Sequence, residues 1–285
     1  MNTRIVKAFL QYAGGNRTNA ERLGKMLGRC DAVYIPFAGG MPEVAFLNTD
    51  LIFANDLNEH VMRLAKVIAT DHERLEERLR QLTYDQTSLE WARRAAQNDT
   101  ADDLWRATGY FASQWMIRGG ITGTNGQFKG KLSTRYTKTG GCSKVRFATA
   151  IRSIETFVES FRRCRFSTVD AFRFLAAVPD EDGAAIFSDE PDWHGASIRY
   201  AVNQGQPRFD HIAWWDRLKS FTKTRIVVRY AECEEVHEAF RGWRKIEVSG
   251  RRQNNWLLAH VCHELWCCNF DPPAVARSEQ GTFWS

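Results

Sequence analysis

Apolar positions along the chain return in two distinct rhythms. In EHVMRLAKVIATDHERLEERLRQL, residues 59–82, they recur every three or four positions, the spacing that sets one face of a helix against a core. The rhythm continues to GYFASQWMI, residues 109–117, around a highly charged centre suited to exposed helices. Helices are also predicted in YAGGNRTNAERLGKMLGRC, SIETFVESFRRC, DHIAWWDRLKSF and EEVHEAFRGW. In the first of these, Thr18 and Glu21 have the spacing of a capping box. Short apolar runs bounded by glycine or polar residues read as strands: AVYIPFAGG, AAI at 184–186, TRIVVRY, KIEVSG and HELWCCNF. PEVAFLN is read as continuing into DLIFANDLN, a second strand ending at Asp56. Strands alternating with helices predict a wound α/β layout. The helical and basic block at 60–150 is expected as an insertion into a sheet domain made by residues 1–59 and 151–285.

Composition narrows the class. The chain has 285 residues, 44% hydrophobic and 26% charged, ordinary for a globular protein with a sizeable core. No apolar run approaches the ~18 residues of a membrane span. The N-terminus lacks an apolar h-region with a small-residue cleavage site, so secretion is not expected. Seven cysteines, two of them adjacent, do not form a disulfide framework, and a reducing cytoplasm is expected. HVCHELWCCN clusters His260, Cys262, His263, Cys267 and Cys268. A second Cys pair is missing, so a strand with buried thiols is expected rather than a zinc site.

Charge is unevenly spread. Residues 118–152 contain eight Lys or Arg and no acid, and removing those eight from the net +5 leaves the rest at −3. The segment is rich in Gly, Thr and Asn, with Phe128, Tyr136 and Phe147 interspersed, and is read as hairpins able to lie on a phosphate backbone. Arg118, Asn125, Lys129, Lys131, Arg135, Lys138, Lys144 and Arg146 are its candidate contacts with double-stranded DNA.

Two loops carry the candidate chemistry. A strand, the glycine turn FAGG at 37–40 and a second strand ending in Asp56 suit an adenosine moiety. Glycine lets backbone approach the ligand, and the acid accepts hydrogen bonds from two ribose hydroxyls. Neither GxGxxG nor GxxxxGK[ST] is present, so a nucleoside cofactor without phosphates, such as S-adenosylmethionine, fits better than NAD or ATP. FSDEPDW, residues 187–193, follows an apolar strand and joins carboxylates, a proline and an aromatic residue.

In order along the chain, QYAGGN, YIPFAGG, FANDLNEHV, GTNGQFKG, VDAFRFL, FSDEPDW, FDHIAWWDRL and ELWCCN resemble the motifs of the Dam-type, alpha-class DNA adenine-N6 methyltransferases. The resemblance runs over nearly the whole chain. It implies a Rossmann-like methyltransferase sheet with an inserted helical and basic target-recognition domain. It further implies S-adenosylmethionine as cofactor, no metal, and transfer to a flipped-out adenine in duplex DNA. By the same resemblance Tyr12, Gly14 and Gly15 match an aromatic-Gly-Gly element, with Asn16 where the family has lysine. Phe37, Gly39 and Gly40 would line the methionine and ribose side, and Asp56 would hold the ribose. Asp170 matches an acid near adenine, and equally reads as a helix N-cap.

FSDEPDW departs from the family's Asp-Pro-Pro-Tyr. In one register Asp189 is the acid, Glu190 replaces the first proline, Pro191 keeps the second, and Asp192 takes the aromatic slot with Trp193 one residue late. In the slipped register Glu190 is the acid and Trp193 the fourth member. The acid and a backbone carbonyl would accept the two N–H bonds of the adenine amine, while an aromatic ring stacks the base. Arg229 and RRQNNW (251–256) face DNA or the cleft in one reading and solvent in the other, and Trp214 and Trp215 are expected in the core. A solitary or phage-borne enzyme with relaxed sequence preference is the expected setting. The competing expectation is a catalytically weakened DNA-binding protein of the same fold.

Overall fold

The computed structural model describes residues 9–10, 19–117, 128, 130–137, 141–191, 193, 209–248 and 264–273. They fall into two compact units.

The helical unit takes the described residues within 1–15, 39–45 and 56–168. Its helices are α2 (Glu59–Arg80), α3 (Gln86–Gln97), α4 (Asp103–Met116), α5 (Ser143–Arg152) and α6 (Glu155–Arg162). Aspartates start two of them: Asp85 accepts the Ser88 N–H at 2.7 Å, and Asp102 accepts that of Trp105 at 2.6 Å. α3 and α4 pack closely because residue 109 is glycine. A Cβ there would lie 2.5 Å from the Ala92 carbonyl oxygen. Phe9, Tyr110, Phe111 and Phe161 are fully buried. The indole of Trp115 donates to the Phe9 carbonyl at 3.0 Å. Strands β3 (Tyr136–Thr137) and β4 (Gly141–Cys142) form a small antiparallel hairpin, and β5 (Cys164–Ser167) follows α6. The C-terminal part of the basic stretch, expected as hairpin, is therefore helix. SKVRFATAIR buries Phe147, Ala150 and Ile151 at helical spacing, a pattern masked by its basic residues.

The sheet unit takes the described residues within 16–38, 46–55 and 169–285. It contains α1 (Ala20–Leu27), β1 (Ala32–Ile35), β2 (Ile52–Asn55), α7 (Ala171–Ala176), β6 (Ala184–Ser188), α8 (His211–Lys219), β7 (Arg225–Ala231), α9 (Glu234–Ala239), β8 (Arg244–Val248) and β9 (Glu264–Cys268). Six strands run in the order β2-β1-β6-β7-β9-β8. β2, β1, β6 and β7 are parallel neighbours, with Tyr34 opposite Phe53 and Ile186, and Ser188 opposite Val228. β9 is antiparallel to both β7 and β8. The fold is thus α/β with a mostly parallel mixed sheet. β1 is buried throughout, and β7 at all but its two ends, as strands covered on both faces must be. One face packs Ile186, Val228, Tyr230, Leu265 and Cys267 against Trp214 and Trp215 of α8 and Phe240.

Two local expectations change. α1 begins at Ala20 with Asn19 in the N-cap position and no side-chain cap bond, while Glu21 pairs with Lys25 at 3.1 Å. Thr18 lies outside the described residues. Part of PEVAFLN forms a 3₁₀ turn, Pro42–Ala45, and the strand begins only at Ile52. No helix among the described residues is long and apolar enough to cross a membrane.

Candidate active site

In the sheet unit the chain leaves β1 for β2 on one side and leaves β6 for β7 on the other. The carboxyl ends of β1 and β6 therefore diverge into a crevice, the place where open α/β sheets bind ligands. Residues 36–38 follow β1 there, and FSDEPDW opens there at the end of β6.

Asp189, the first residue beyond β6, accepts a 2.6 Å hydrogen bond from Arg229 Nη1. The other two arms of the guanidinium reach Glu264, Nη2 to Oε1 at 2.6 Å and Nε to Oε2 at 3.1 Å. The side chains of Arg229 and Glu264 are 4% and 3% exposed, whereas that of Asp189 is 20% exposed. Burial disfavours the guanidinium charge, but Asp189 and Glu264 overcome it and raise the Arg229 pKa above its ordinary value. One cation thus sits between two carboxylates, and only Asp189 reaches outward.

Glu190 turns the opposite way, as the next residue of an extended chain must. It is buried, its Oε2 accepts from the Ser188 hydroxyl at 2.6 Å, and Ser188 in turn accepts from the Trp214 indole at 3.0 Å. Glu190 Oε1 finds no hydrogen-bond partner among the described residues. Burial pushes its pKa up to about 7, against the lowering effect of the Ser188 bond. Beside it the Tyr230 hydroxyl accepts from the Trp215 indole at 2.8 Å and shares a 2.9 Å hydrogen bond with His211 Nδ1. Burial holds His211 neutral, with its pKa lowered to about 4.

The rest of the loop divides. Pro191 is half-buried, and Asp192 lies outside the described residues. Trp193 stacks on Trp215, with ring centroids 5.0 Å apart and planes at 24°, and meets His211 edge-on at 5.3 Å. Phe37 lies edge-on to Trp214 at 5.0 Å and to Phe209 at 5.4 Å. Asp170 is the N-cap of α7, accepting from the backbone N–H groups of Phe172 at 2.9 Å and Arg173 at 3.2 Å. Trp214 and Trp215 are core residues, as expected.

In the helical unit Asp56 uses both carboxylate oxygens on backbone. Oδ2 accepts from Gly39 N and Oδ1 from Asn58 N, each at 2.8 Å. Gly39 has φ 47°, a left-handed turn that glycine adopts without strain. Burial raises the Asp56 pKa, while the two N–H groups draw it down. Each oxygen keeps a second lone pair, so the two acceptors fit a pair of donating ribose hydroxyls. Gly40 is buried beside this turn. Tyr12, Gly14, Gly15 and Asn16 lie outside the described residues.

Of the basic segment, Lys131, Arg135 and Lys144 are exposed and Arg146 is half-buried. Arg118, Asn125, Lys129 and Lys138 lie outside the described residues. Tyr136 on the hairpin is 73% exposed, and residues 130–135 line an open cleft of about 290 Å³. Tyr84 anchors this stretch by donating to the Ser133 carbonyl at 2.9 Å.

Cys267 and Cys268 are buried side by side in β9, and burial pushes the Cys267 thiol up to about 12. His260, Cys262, His263 and RRQNNW lie outside the described residues. Among the described residues no three His, Cys, Asp or Glu side chains are placed to hold a metal ion. Sequence reasoning left Arg229 undecided between cleft and solvent, and it is buried in an ion triad. It did not mark Glu264, Tyr230 or His211. The available signal was a charged residue inside each of two apolar strands, since buried charges need partners. No protein-family model matches the chain, and no curated protein matches it.

Proposed function

We propose that the chain is an S-adenosylmethionine-dependent DNA adenine-N6 methyltransferase acting on a flipped-out base. The observation that carries this reading is Asp189, a partly exposed carboxylate at the carboxyl end of β6, fastened from behind by a buried arginine. An adenine amine is a poor nucleophile because its lone pair is delocalised into the ring. An immobile carboxylate that accepts one N–H, with a backbone carbonyl accepting the other, draws the nitrogen toward tetrahedral geometry and aims the lone pair. Bound S-adenosylmethionine supplies an electrophilic methyl group on a sulfonium, so the chain's own contribution is positioning. Asp56 would hold the ribose hydroxyls. The reading is also supported by the mostly parallel mixed sheet, which is compatible with the Rossmann-like sheet that the resemblance implies.

Between the two registers of FSDEPDW, exposure favours Asp189 as the acid, since Glu190 faces Ser188 in the interior. The basic insertion, with Lys131, Arg135, Lys144 and the exposed Tyr136, would contact the duplex. Relaxed sequence preference belongs to this proposal, and an N6-methyladenine map confined to one short motif would remove it.

The test is labelled methyl transfer to unmethylated plasmid, followed by base analysis. Label in N6-methyladenine is expected. Asp189→Ala should abolish transfer while leaving cofactor affinity within roughly tenfold. Near-normal turnover in that variant would move the acid role to Glu190. One observation favours a second reading, a DNA-binding protein with weakened catalysis: the Trp193 ring is engaged with Trp215. Robust turnover, together with a loss of base capture worth ~1–3 kcal/mol in Trp193→Ala, would eliminate it.

A further inference from the structure

We propose that Arg229 is a positioning residue, a rigid cation that aims the Asp189 carboxylate and is itself oriented by Glu264. The inference rests on the methyltransferase reading and deepens it. A guanidinium is planar, and two parallel N–H···O bonds to one carboxylate fix its plane as well as its place. Glu264 supplies that pair of contacts at 2.6 and 3.1 Å. With the plane fixed, the directions of the Nη1 N–H bonds are fixed too, and Asp189 Oδ2 accepts from Nη1 at 2.6 Å.

The scaffold is stiff. Arg229 lies inside β7, opposite Trp266 of β9, and Glu264 lies opposite Ala231 in the same ladder. Asp189 begins the turn after Ser188, which is itself paired with Val228. Three neighbouring strands therefore set the three charges. Neither charge of the inner pair is displayed to solvent, and the 20% exposure of Asp189 leaves the outward function to it. Lysine cannot substitute fully, because an ammonium keeps the charge but not the plane.

The experiment compares wild type, Arg229→Gln, Arg229→Lys and Glu264→Gln in steady-state methyl transfer to plasmid DNA, with thermal melts to establish folding. Arg229→Gln is expected to lower kcat by about 10²-fold with KM for DNA and cofactor within about threefold, and Arg229→Lys to restore part of that loss. Glu264→Gln, which keeps the shape of the pair, is expected to lower kcat by about tenfold. Unchanged kcat in a folded Arg229→Gln protein overturns the proposal, as does a loss confined to KM. The wild-type assay comes first, since absence of N6-methyladenine there removes the methyltransferase reading alone. The clamp is then judged by nitrogen NMR of the Arg229 side chain. Separate, slowly exchanging guanidinium N–H signals that change at Nη1 in Asp189→Asn support it. A single averaged signal in wild type overturns it.

Discussion

Asp56 and the Asp189–Glu190 pair each begin a turn just past a strand, yet their charge is handled in opposite ways. In the helical unit Asp56 rests on two backbone N–H groups, one from Asn58 two residues on and one from Gly39 17 residues back. In the sheet unit Asp189 leans on a guanidinium 40 residues away, and that guanidinium leans on a glutamate 35 residues further on. Glu190 has a hydroxyl for one oxygen and no partner for the other among the described residues. Backbone donors hold a turn in shape, although burial still raises the Asp56 pKa. Side-chain charges enclosed in a sheet carry their own desolvation cost and are directed by neighbouring side chains. The first arrangement ties a turn together, and the second holds a partly exposed carboxylate on a buried cation.

The largest test of the contrast removes the buried cation. Arg229→Met should destabilise the protein by about 3–5 kcal/mol, because Glu264 is left enclosed without a counter-charge. Arg229→Met combined with Glu264→Leu should recover most of that loss, since a packed apolar pair replaces a desolvated ionic one. Urea denaturation of the three proteins measures both figures. Equal losses in the single and double variants would mean that Arg229 acts through packing of its stem and not through charge.

The next effect belongs to Glu190 and shows itself in pH dependence. Its folded pKa, about 7, stands above the ordinary glutamate value near 4.5. The protonated form is therefore favoured in the folded state, and its stabilisation is complete below pH 4.5. That stabilisation disappears as pH rises through 7. The span corresponds to about 3 kcal/mol. Glu190→Gln should lack this decline, so its stability relative to wild type should climb across that window and level off above it. His60 and His211 are both buried and lowered to about 4, and they lose stability in the opposite direction, as pH falls from 6.5 toward 4. They are common to both proteins and cancel in the difference. A flat difference curve would place the Glu190 carboxylate in contact with water.

This contrast also explains what could be read from the sequence. The Asp56 turn was legible because glycine turn, strand and acid lie close together in the chain. The strands at AVYI, IFAN and RIVVRY were legible from their apolar runs, and the helix over 59–80 from its period. The triad was not. Pairing Asp189 with Arg229 requires knowing that β6 and β7 are neighbours, and adding Glu264 requires knowing that β9 enters antiparallel beside β7. The direction of Glu190 was equally hidden, because the pleat alternates at every residue and the register of FSDEPDW had two solutions. α5 was missed for a different reason: its basic residues dominate a segment with only three buried apolar residues, Phe147, Ala150 and Ile151.

A smaller effect comes from the backbone-bound acid itself. Asp56→Asn keeps one acceptor oxygen and turns a donor toward a second N–H, so it should cost about 2 kcal/mol. Urea denaturation of the two proteins measures it, and unchanged stability would show that the backbone donors hold Asp56 more weakly than their 2.8 Å distances indicate.

The smallest test uses Asp170, which also accepts two backbone N–H groups but at the exposed start of the six-residue α7. Asp170→Ala should cost about 1 kcal/mol, the usual worth of an N-cap, measured by urea denaturation. Its value lies in separating the two meanings of that acid. If capping is its whole role, binding of S-adenosylmethionine, followed by calorimetry, should weaken by no more than about twofold. A loss of tenfold or more with an ordinary capping cost would assign Asp170 to the ligand as well. It would also make the compensation of a carboxylate by backbone compatible with a binding function, which is the premise on which the proposed role of Asp56 depends.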